Sequence, residues 1–152
     1  MGRPRESLKS SVQCFGTVQV FPYSDICSKR PMLLAMSTSI LIVDDHDIVR
    51  FGVRMLLSKD ARWDICGEAA DGEQAVEAVR RLHPDIVILD LTMPVMNGFE
   101  AAEEIRRIAP YTKIVFFSLH QTPSTARLVG ANAFVHKGSA VEDLPRTLKL
   151  IA

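Results

Sequence analysis

The sequence has few of the features that would assign it to a specialised class of protein. Its three cysteines, Cys14, Cys27 and Cys66, are odd in number and lack the spacing of a zinc site. They therefore favour a reducing compartment over a disulfide framework. No apolar run is long enough to cross a bilayer, and the formal net charge is zero, so no nucleic-acid partner is indicated. We expect a cytoplasmic protein with no membrane or direct nucleic-acid contact.

The chain divides near residue 38, where its composition changes. Residues 1–37 show no sustained period of 2 or 3.6, and five basic against two acidic side chains give residues 1–36 a net charge of +3. We predict a disordered leader over 1–37, translated from an upstream start codon, with Met36 as the natural start. A targeting arm is the alternative, which the lack of a small-residue cleavage site disfavours. We expect one folded domain over 38–152.

From Ser39 onward, short apolar runs alternate with amphipathic segments, a pattern typical of βαβ units and a parallel sheet. The two most continuous runs, Ile40–Val43 and Ile86–Leu89, indicate strands buried on both faces. We predict a three-layer α/β sandwich whose five-stranded parallel sheet has the flavodoxin-like order 2-1-3-4-5. The predicted strands are 39–43, 63–69, 85–90, 113–117 and 133–136, and the predicted helices are 48–58, 73–82, 98–108, 123–129 and 140–151.

Three of the predicted helices begin with the residues of a capping box. Asp71, Asn97 and Ser139 each precede a Glu or Gln by three positions. In a capping box the first side chain accepts from the backbone N–H at the third helical position, and the Glu or Gln accepts from the cap's own N–H. We therefore expect all three side chains to cap helices.

Acidic residues follow the two continuous apolar runs, Asp44-Asp45 after the first and Asp90 after the second. The carboxyl ends of parallel strands meet at one edge of the sheet, where α/β proteins bind ligands. Three clustered carboxylates repel one another unless a cation lies among them, so the sequence predicts a metal site suited to phosphoryl chemistry. The alternative is that Asp44 or Asp47 caps the first helix, which does not explain three converging acids.

These residues, with Ser118 after the fourth strand and Lys137 after the fifth, resemble the receiver domain of two-component response regulators. The segment Leu89–Gly98, which reads LDLTMPVMNG, is part of the resemblance. The Asp-Asp-His-Asp segment and the sequence GEAADGEQ look most like receivers usually fused to a helix-turn-helix output domain, which is not evident here. The resemblance covers about residues 39–151. Four elements in this order, each at a predicted strand end, make accidental agreement improbable.

The resemblance implies that Asp90 accepts a phosphoryl group from a phosphohistidine on a sensor histidine kinase or phosphotransfer protein. It implies Mg2+ as the cofactor, with Asp45 and Asp90 as direct ligands, Asp44 acting mainly through water, and the Thr92 carbonyl as a further ligand. Carboxylates, a carbonyl and water are the donors that Mg2+ prefers.

Three more residues carry implied roles. Lys137 would supply a cation and Ser118 a hydroxyl donor to the phosphoryl oxygens. Phe134 matches the family's rotating aromatic position, so Ser118 and Phe134 would form the switch. Packing in the core explains Phe134 equally well. We do not expect His46 or His120 to form a second metal site or to act as a general base.

Three departures from the family pattern fall on one side of the domain. Ser118 and Lys137 are 19 positions apart, fewer than is usual, which shortens the predicted helix 123–129. Gly138 stands where the family commonly has proline or an acid, and glycine loosens the loop that holds Lys137. Pro145 lies inside the last predicted helix, where it would bend the helix or delay its start to near Asp143.

Three functions remain open from the sequence. The first is a phosphorylatable switch that acts on an unknown downstream protein, catalysing its own phosphorylation and dephosphorylation without being a turnover enzyme. The second is a receiver-like interaction module that is not regulated by phosphorylation. The third, an aspartate-dependent phosphatase, usually needs a second acid where this chain has Thr92. The sequence does not decide between a stand-alone receiver and a fragment of a longer regulator, or whether a homodimer forms.

Overall fold

Five parallel strands form one sheet in the computed structural model, which describes residues 37–120 and 129–152. Their order is β2-β1-β3-β4-β5, which confirms the predicted flavodoxin-like topology. The predicted bounds of the second and fifth strands are those observed. The first and fourth strands differ by one residue at one end, and the third is one residue shorter at each end than predicted. The strands are Thr38–Val43 (β1), Trp63–Ala69 (β2), Ile86–Leu89 (β3), Lys113–Ser118 (β4) and Ala133–His136 (β5).

Four α-helices lie among the described residues: Asp47–Leu57 (α1), Gly72–Leu82 (α2), Gly98–Ile108 (α3) and Ala140–Ile151 (α4). The bounds predicted for α3 and α4 are those observed. Helices α1 and α2 begin one residue earlier than predicted, and α1 also ends one residue earlier. The predicted helix 123–129 falls outside the described residues except for its last residue, which lies in a turn. None of the described helices is both long and apolar enough to cross a membrane.

The core consists of two apolar clusters, one on each face of the sheet. Side chains alternate along each strand, so Leu41 and Val43 of β1 face α2 and α3, whereas Ile40 and Ile42 face α1 and α4. Complete burial of such side chains contributes about 1.5–3 kcal/mol each. Both faces of the central strands are therefore covered, which explains why they read as continuous apolar runs.

Of the three residues predicted to cap helices, Asn97 and Asp71 do so and Ser139 does not. Asn97 and Glu100 form the complete capping box at the start of α3. Asp71 accepts from the Gln74 N–H at 2.8 Å, although the Gln74 side chain accepts from Ala70 rather than from the cap residue. The prediction for Ser139 is wrong, because its side chain makes no cap bond and its hydroxyl donates to the carbonyl of His136 instead.

The last strand and the last helix are joined by a short 3₁₀ turn, Lys137–Ser139, which is capped by the His136 side chain. Helix α4 begins at Ala140 directly after this turn, with Pro145 inside it. A delayed start near Asp143 is therefore wrong. Proline at this position lacks the N–H that would donate to the Val141 carbonyl, and the helix nevertheless continues to Ile151.

Candidate functional site

The carboxyl edge of the central strands brings together the predicted acids. Val43 and Leu89 are paired across β1 and β3, and the N–H of Asp90 donates to the carbonyl of Val43 at 2.9 Å. The residues that follow these strands are therefore held side by side. Asp44 is 1% exposed and Asp90 3% exposed, so two carboxylates lie in a region of low dielectric where their charges repel strongly.

Lys137 supplies the cation nearest to these carboxylates among the described residues. Its Nζ lies 2.6 Å from Asp44 Oδ2 and 3.2 Å from Asp90 Oδ1, and its side chain is only 13% exposed. The ammonium also lies 5.7 Å from the centre of the Phe117 ring, a cation–π contact. The single positive charge of Lys137 thus touches both buried acids.

The two oxygens of Asp90 are held differently. Oδ1 accepts from the N–H of Leu91 at 2.8 Å and faces Lys137, whereas Oδ2 accepts no hydrogen bond from the described residues. Burial raises the pKa of Asp90, with the Asp44 charge acting in the same direction and Lys137 opposing both. One carboxylate oxygen is therefore fixed, while the other is available to a ligand.

The acidic pair also has oxygens without a hydrogen bond. Asp44 Oδ2 and Asp45 Oδ1 are buried and accept none from the described residues. Lys137 Nζ lies 2.6 Å from the first, and His46 Nδ1 lies 2.8 Å from the second, but neither contact is directed as a hydrogen bond. Buried oxygens of this kind are costly unless a cation or water binds them, so the donor set fits a hard divalent ion.

A cavity of about 200 Å³ opens at this edge of the sheet. Asp45 and Asp90 line the cavity, whereas Asp44 does not. Ser118, which also lines it, is 1% exposed, and its hydroxyl accepts from the His120 N–H at 3.2 Å. The predicted site residues that meet here are therefore those expected to touch a ligand directly. The lining residues are Asp45, His46, Asp90, Thr92, Ser118, Leu119, His120 and Lys137.

Phe134 is on β5 and does not line this cavity. It is partly buried against the apolar cluster between the sheet and helices α2 and α3. Its ring position agrees with core packing, and the switch role stays a prediction. The imidazole of His46 stands beside Asp44 and Asp45, and these three residues form a group that could bind a metal through one atom each. His46 is 65% exposed, at the rim of the site.

Two bridging residues were not predicted from the sequence. The Arg50 guanidinium donates to the Asp44 carbonyl at 2.6 Å, to Glu68 of β2 at 3.2 Å and to Asp47, and it is 14% exposed. The three-residue spacing from Asp47 could have suggested that last pair. No sequence pattern indicates the bond to the Asp44 carbonyl, because that bond depends on the path of the loop between β1 and α1.

The second bridge is His136, the last residue of β5. Its imidazole accepts from the N–H of Gly138 at 3.0 Å and lies 2.8 Å from the carbonyl of Leu119. Leu119 follows Ser118, and Gly138 follows Lys137. One side chain therefore connects the backbone next to each of these two site residues. The sequence offered no sign of this link beyond the neighbouring positions of His136 and Lys137.

Comparison with known proteins identifies the family. The response regulator receiver domain model matches residues 40–149. The nitrate/nitrite response regulator protein NarL of Escherichia coli K12 is 38% identical over 113 residues, which cover 72% of this chain and 52% of NarL. The transcriptional regulatory protein DegU of Brevibacillus brevis is 32% identical, over 74% of this chain and 49% of DegU. The chain thus spans about half the length of these curated relatives.

Solved structures agree with this result. A two-component response regulator of the LuxR family from Aurantimonas sp. SI85-9A1 superposes with a TM-score of 0.72 at 36% identity, covering 76% of this chain and 84% of that one. The response regulator domain of Thermotoga maritima CheB gives 0.70 at 25% identity, with 76% and 96% covered. The sheet order, the acidic edge and these matches lead to one conclusion: the chain belongs to the response regulator receiver domain family of two-component signalling.

Proposed function

We propose that this chain is a phosphorylatable switch in which Asp90 accepts a phosphoryl group from a phosphohistidine on a sensor histidine kinase or phosphotransfer protein. One observation carries the assignment to Asp90. It is a buried carboxylate lining the cavity, with Oδ1 fixed by the Leu91 N–H and Oδ2 free of hydrogen bonds from the described residues. A carboxylate held by one oxygen is oriented for nucleophilic attack by the other.

The proposed transfer makes one bond and breaks one bond. The free oxygen of Asp90 forms the new bond to phosphorus while the P–N bond of the donor phosphohistidine breaks. The bonding pair stays on the departing imidazole nitrogen, which is neutral because the other ring nitrogen carries a proton. The product is an acyl phosphate on Asp90, a reaction that requires in-line positioning and charge neutralisation more than acid–base catalysis.

The acidic residues would hold Mg2+, the divalent cation of the family. Asp45 and Asp90 line the cavity and would bind it directly, together with the backbone carbonyl of Thr92. Asp44 lies behind them, outside the cavity lining, which supports a role through water. When bound, the ion neutralises carboxylate repulsion and offsets the negative charge on the phosphoryl oxygens.

Lys137 and Ser118 would contact the phosphoryl group from the other side. The ammonium of Lys137 already lies 3.2 Å from Asp90 Oδ1, so a phosphoryl oxygen bound to Asp90 comes within its reach. Ser118 is buried in the cavity wall, and its hydroxyl proton is not donated to any described residue. Both groups therefore stabilise added negative charge without moving far.

The readout proposed for this switch is a change in the face formed by the predicted helix 123–129, β5 and α4. That helix falls outside the described residues except for its last residue. Ser118 and Phe134 would couple phosphorylation to this face, which a downstream protein or a second copy of the chain would bind. In this proposal the chain catalyses its own phosphorylation and dephosphorylation in the cytoplasm but is not a turnover enzyme. Thr92 stands where an aspartate-dependent phosphatase would need its general acid.

The test is the intact mass of the protein after incubation with a small phosphodonor, acetyl phosphate, and Mg2+. We expect the wild type to gain one phosphoryl group and Asp90→Ala to gain none. Asp60→Ala is the matched control, because Asp60 is an aspartate outside the site that pairs with Arg62. It should be modified like the wild type.

Two outcomes would contradict the proposal. Equal modification of Asp90→Ala and wild type would place the phosphoryl group on another residue. No adduct on the wild type, with Mg2+ binding shown separately by calorimetry, would favour the interaction module that is not regulated by phosphorylation. Addition of EDTA to the reaction should abolish modification, since the acids would then repel the incoming phosphoryl group.

A further inference from the structure

The imidazole of His136 connects the segment that follows Ser118 to the 3₁₀ turn that begins with Lys137. His136 is paired with Ser118 across β4 and β5, so it lies at the same sheet edge as the site. Its Nε2 is 2.8 Å from the Leu119 carbonyl, and its Nδ1 accepts from the Gly138 N–H at 3.0 Å. One ring thereby joins the backbone directly after Ser118 to the backbone directly after Lys137.

These two contacts define the form of the ring. A carbonyl oxygen can only accept and a backbone N–H can only donate, so Nε2 must carry the proton and Nδ1 must be bare. The bonds thus select one neutral tautomer. A side chain with a donor at one end and an acceptor at the other, both used on backbone groups, is fixed in position at both ends.

We propose that His136 is a positioning residue that holds Lys137 against Asp44 and Asp90 by bridging the Leu119 carbonyl and the Gly138 N–H. This inference rests on the proposed role of Asp90 as phosphoryl acceptor. Lys137 lies in the chain between His136 and the bonded N–H of Gly138, at the start of the 3₁₀ turn that His136 caps. Without the bridge, the side-chain contacts described for this turn are the Ser139 hydroxyl bond to the His136 carbonyl and the ion pairs of Lys137 itself.

Gly138 fits this arrangement for a steric reason. A Cβ at position 138 would lie 2.9 Å from Nδ1 and 3.0 Å from Cε1 of His136. A side chain at 138 therefore requires the ring to move away from the N–H that it accepts from. The glycine that departs from the usual pattern is thus the partner of the histidine, and the two residues act as a pair that fixes Lys137.

The first experiment measures Lys137 itself. Acylation of lysines by a small activated acetyl ester in EDTA, followed by peptide mass spectrometry, reports how firmly each ammonium is held. We expect Lys137 to react about fivefold faster in His136→Ala than in the wild type, since two hydrogen bonds are lost. Lys59 and Lys149 are exposed and serve as internal standards that should not change.

The second experiment separates the two bonds through the rate of phosphorylation by acetyl phosphate. His136→Ala should be about tenfold slower, because a misplaced cation no longer meets the developing charge. His136→Asn keeps an acceptor two positions before Gly138, and His136→Gln keeps a donor at the reach of Nε2. Each should fall between alanine and the wild type.

The third experiment tests the pair. Gly138→Ala should slow phosphorylation severalfold in the wild type, where the ring stands in the way, but add little in His136→Ala, where no ring is present. Independent effects of the two substitutions would add instead. Non-additive rates, compared at saturating Mg2+, support the bridge.

Three results would overturn the inference. Unchanged acylation of Lys137 in His136→Ala would show that the ion pairs alone hold it. A fall in melting temperature with an unchanged phosphorylation rate would make His136 merely structural. Additive rates for His136→Ala and Gly138→Ala would separate the pair. If the wild type accepts no phosphoryl group, the proposed function fails while the acylation result still decides the position of Lys137.

Discussion

The two sides of the site are held in different ways. The acid side, formed by Asp44, Asp45 and Asp90, is tied to neighbouring strands and loops by backbone bonds and by the partly buried Arg50 guanidinium. The lysine side, formed by Ser118 and Lys137, depends on a single imidazole among the side-chain bridges described.

This difference follows from what each side must do. Carboxylates that repel one another stay together only if their backbone is fixed in advance. A switch needs a part whose bonds can rearrange at small cost, and such parts come from the less stable regions of a fold. We therefore expect substitutions on the acid side to reduce stability more than equivalent substitutions on the lysine side.

The largest effect is expected from adding one methyl group on each side. A Cβ at Gly98 would lie 2.1 Å from the backbone oxygen of Asp90, whereas a Cβ at Gly138 would meet only the side chain of His136. Backbone cannot give way as a ring can, so Gly98→Ala should lower the free energy of unfolding by about 3 kcal/mol and Gly138→Ala by less than about 1 kcal/mol. Urea denaturation measures both, and equal losses would remove the distinction between the sides.

The next effect concerns the guanidinium on the acid side. Arg50→Gln removes the bonds to the Asp44 carbonyl and to Glu68, which should lower the free energy of unfolding by about 2 kcal/mol. It should also weaken Mg2+ binding severalfold, since the loop carrying Asp45 loses its support. Calorimetric titration with Mg2+ and urea denaturation give the two numbers.

Arg54→Gln is the control for this substitution. Arg54 pairs with the same Glu68 carboxylate but makes no bond to the Asp44 loop, and it is 42% exposed. An exposed pair of this kind contributes less than about 1 kcal/mol, and Mg2+ affinity should be unchanged. If both variants bound Mg2+ equally well, Arg50 would stabilise the helix without positioning the acids.

A smaller effect is expected from removing one charge within the acid side. Burial raises the pKa of Asp90 from its ordinary value of 3.8, so the folded state holds this proton more tightly than the unfolded state. Stability therefore falls as pH rises from about 4 through the folded-state pKa. Asp90→Asn lacks this loss and should melt a few degrees higher than the wild type at neutral pH in EDTA.

The pH dependence and Mg2+ sharpen this prediction. The advantage of Asp90→Asn should shrink as pH is lowered toward 4, because the wild-type carboxyl then gains its proton. Mg2+ should raise the melting temperature of the wild type more than that of the variant, since it binds the folded acids. Identical melting curves in EDTA would mean that the acids do not destabilise one another.

The sequence predicted the sheet well because its central strands are buried on both faces. A continuous run such as Ile86–Leu89 admits few alternatives when turn residues flank it, and the order of strands followed from right-handed crossovers. The acids at the ends of β1 and β3 were predicted for the same reason. The sheet order and the position of the acids depend only on where the strands lie in the sequence, so both could be predicted from it.

The remainder depends on loop geometry, which the sequence does not encode in a simple pattern. Ser139 has the spacing of a capping box, but the preceding turn is capped by His136, so the hydroxyl bonds elsewhere. Val95 has φ +67° at the centre of a tight turn closed by Met96 N–H to Pro94 carbonyl at 2.8 Å. A β-branched residue is disfavoured there, so no propensity could predict it.

The smallest effect is expected from deleting residues 1–35, which tests whether either side of the site depends on the segment before the sheet. Strand β1 begins at Thr38, whose N–H donates to the Arg62 carbonyl at 2.8 Å, and it lies between β2 and β3. A central strand has both edges paired, so a preceding segment cannot extend the sheet beside it. The melting temperature and the phosphorylation rate should both stay at wild-type values. A drop in melting temperature alone would show that the segment packs on the core. Slower phosphorylation with unchanged melting would place the segment at the site, as a third component beside the acid side and the lysine side.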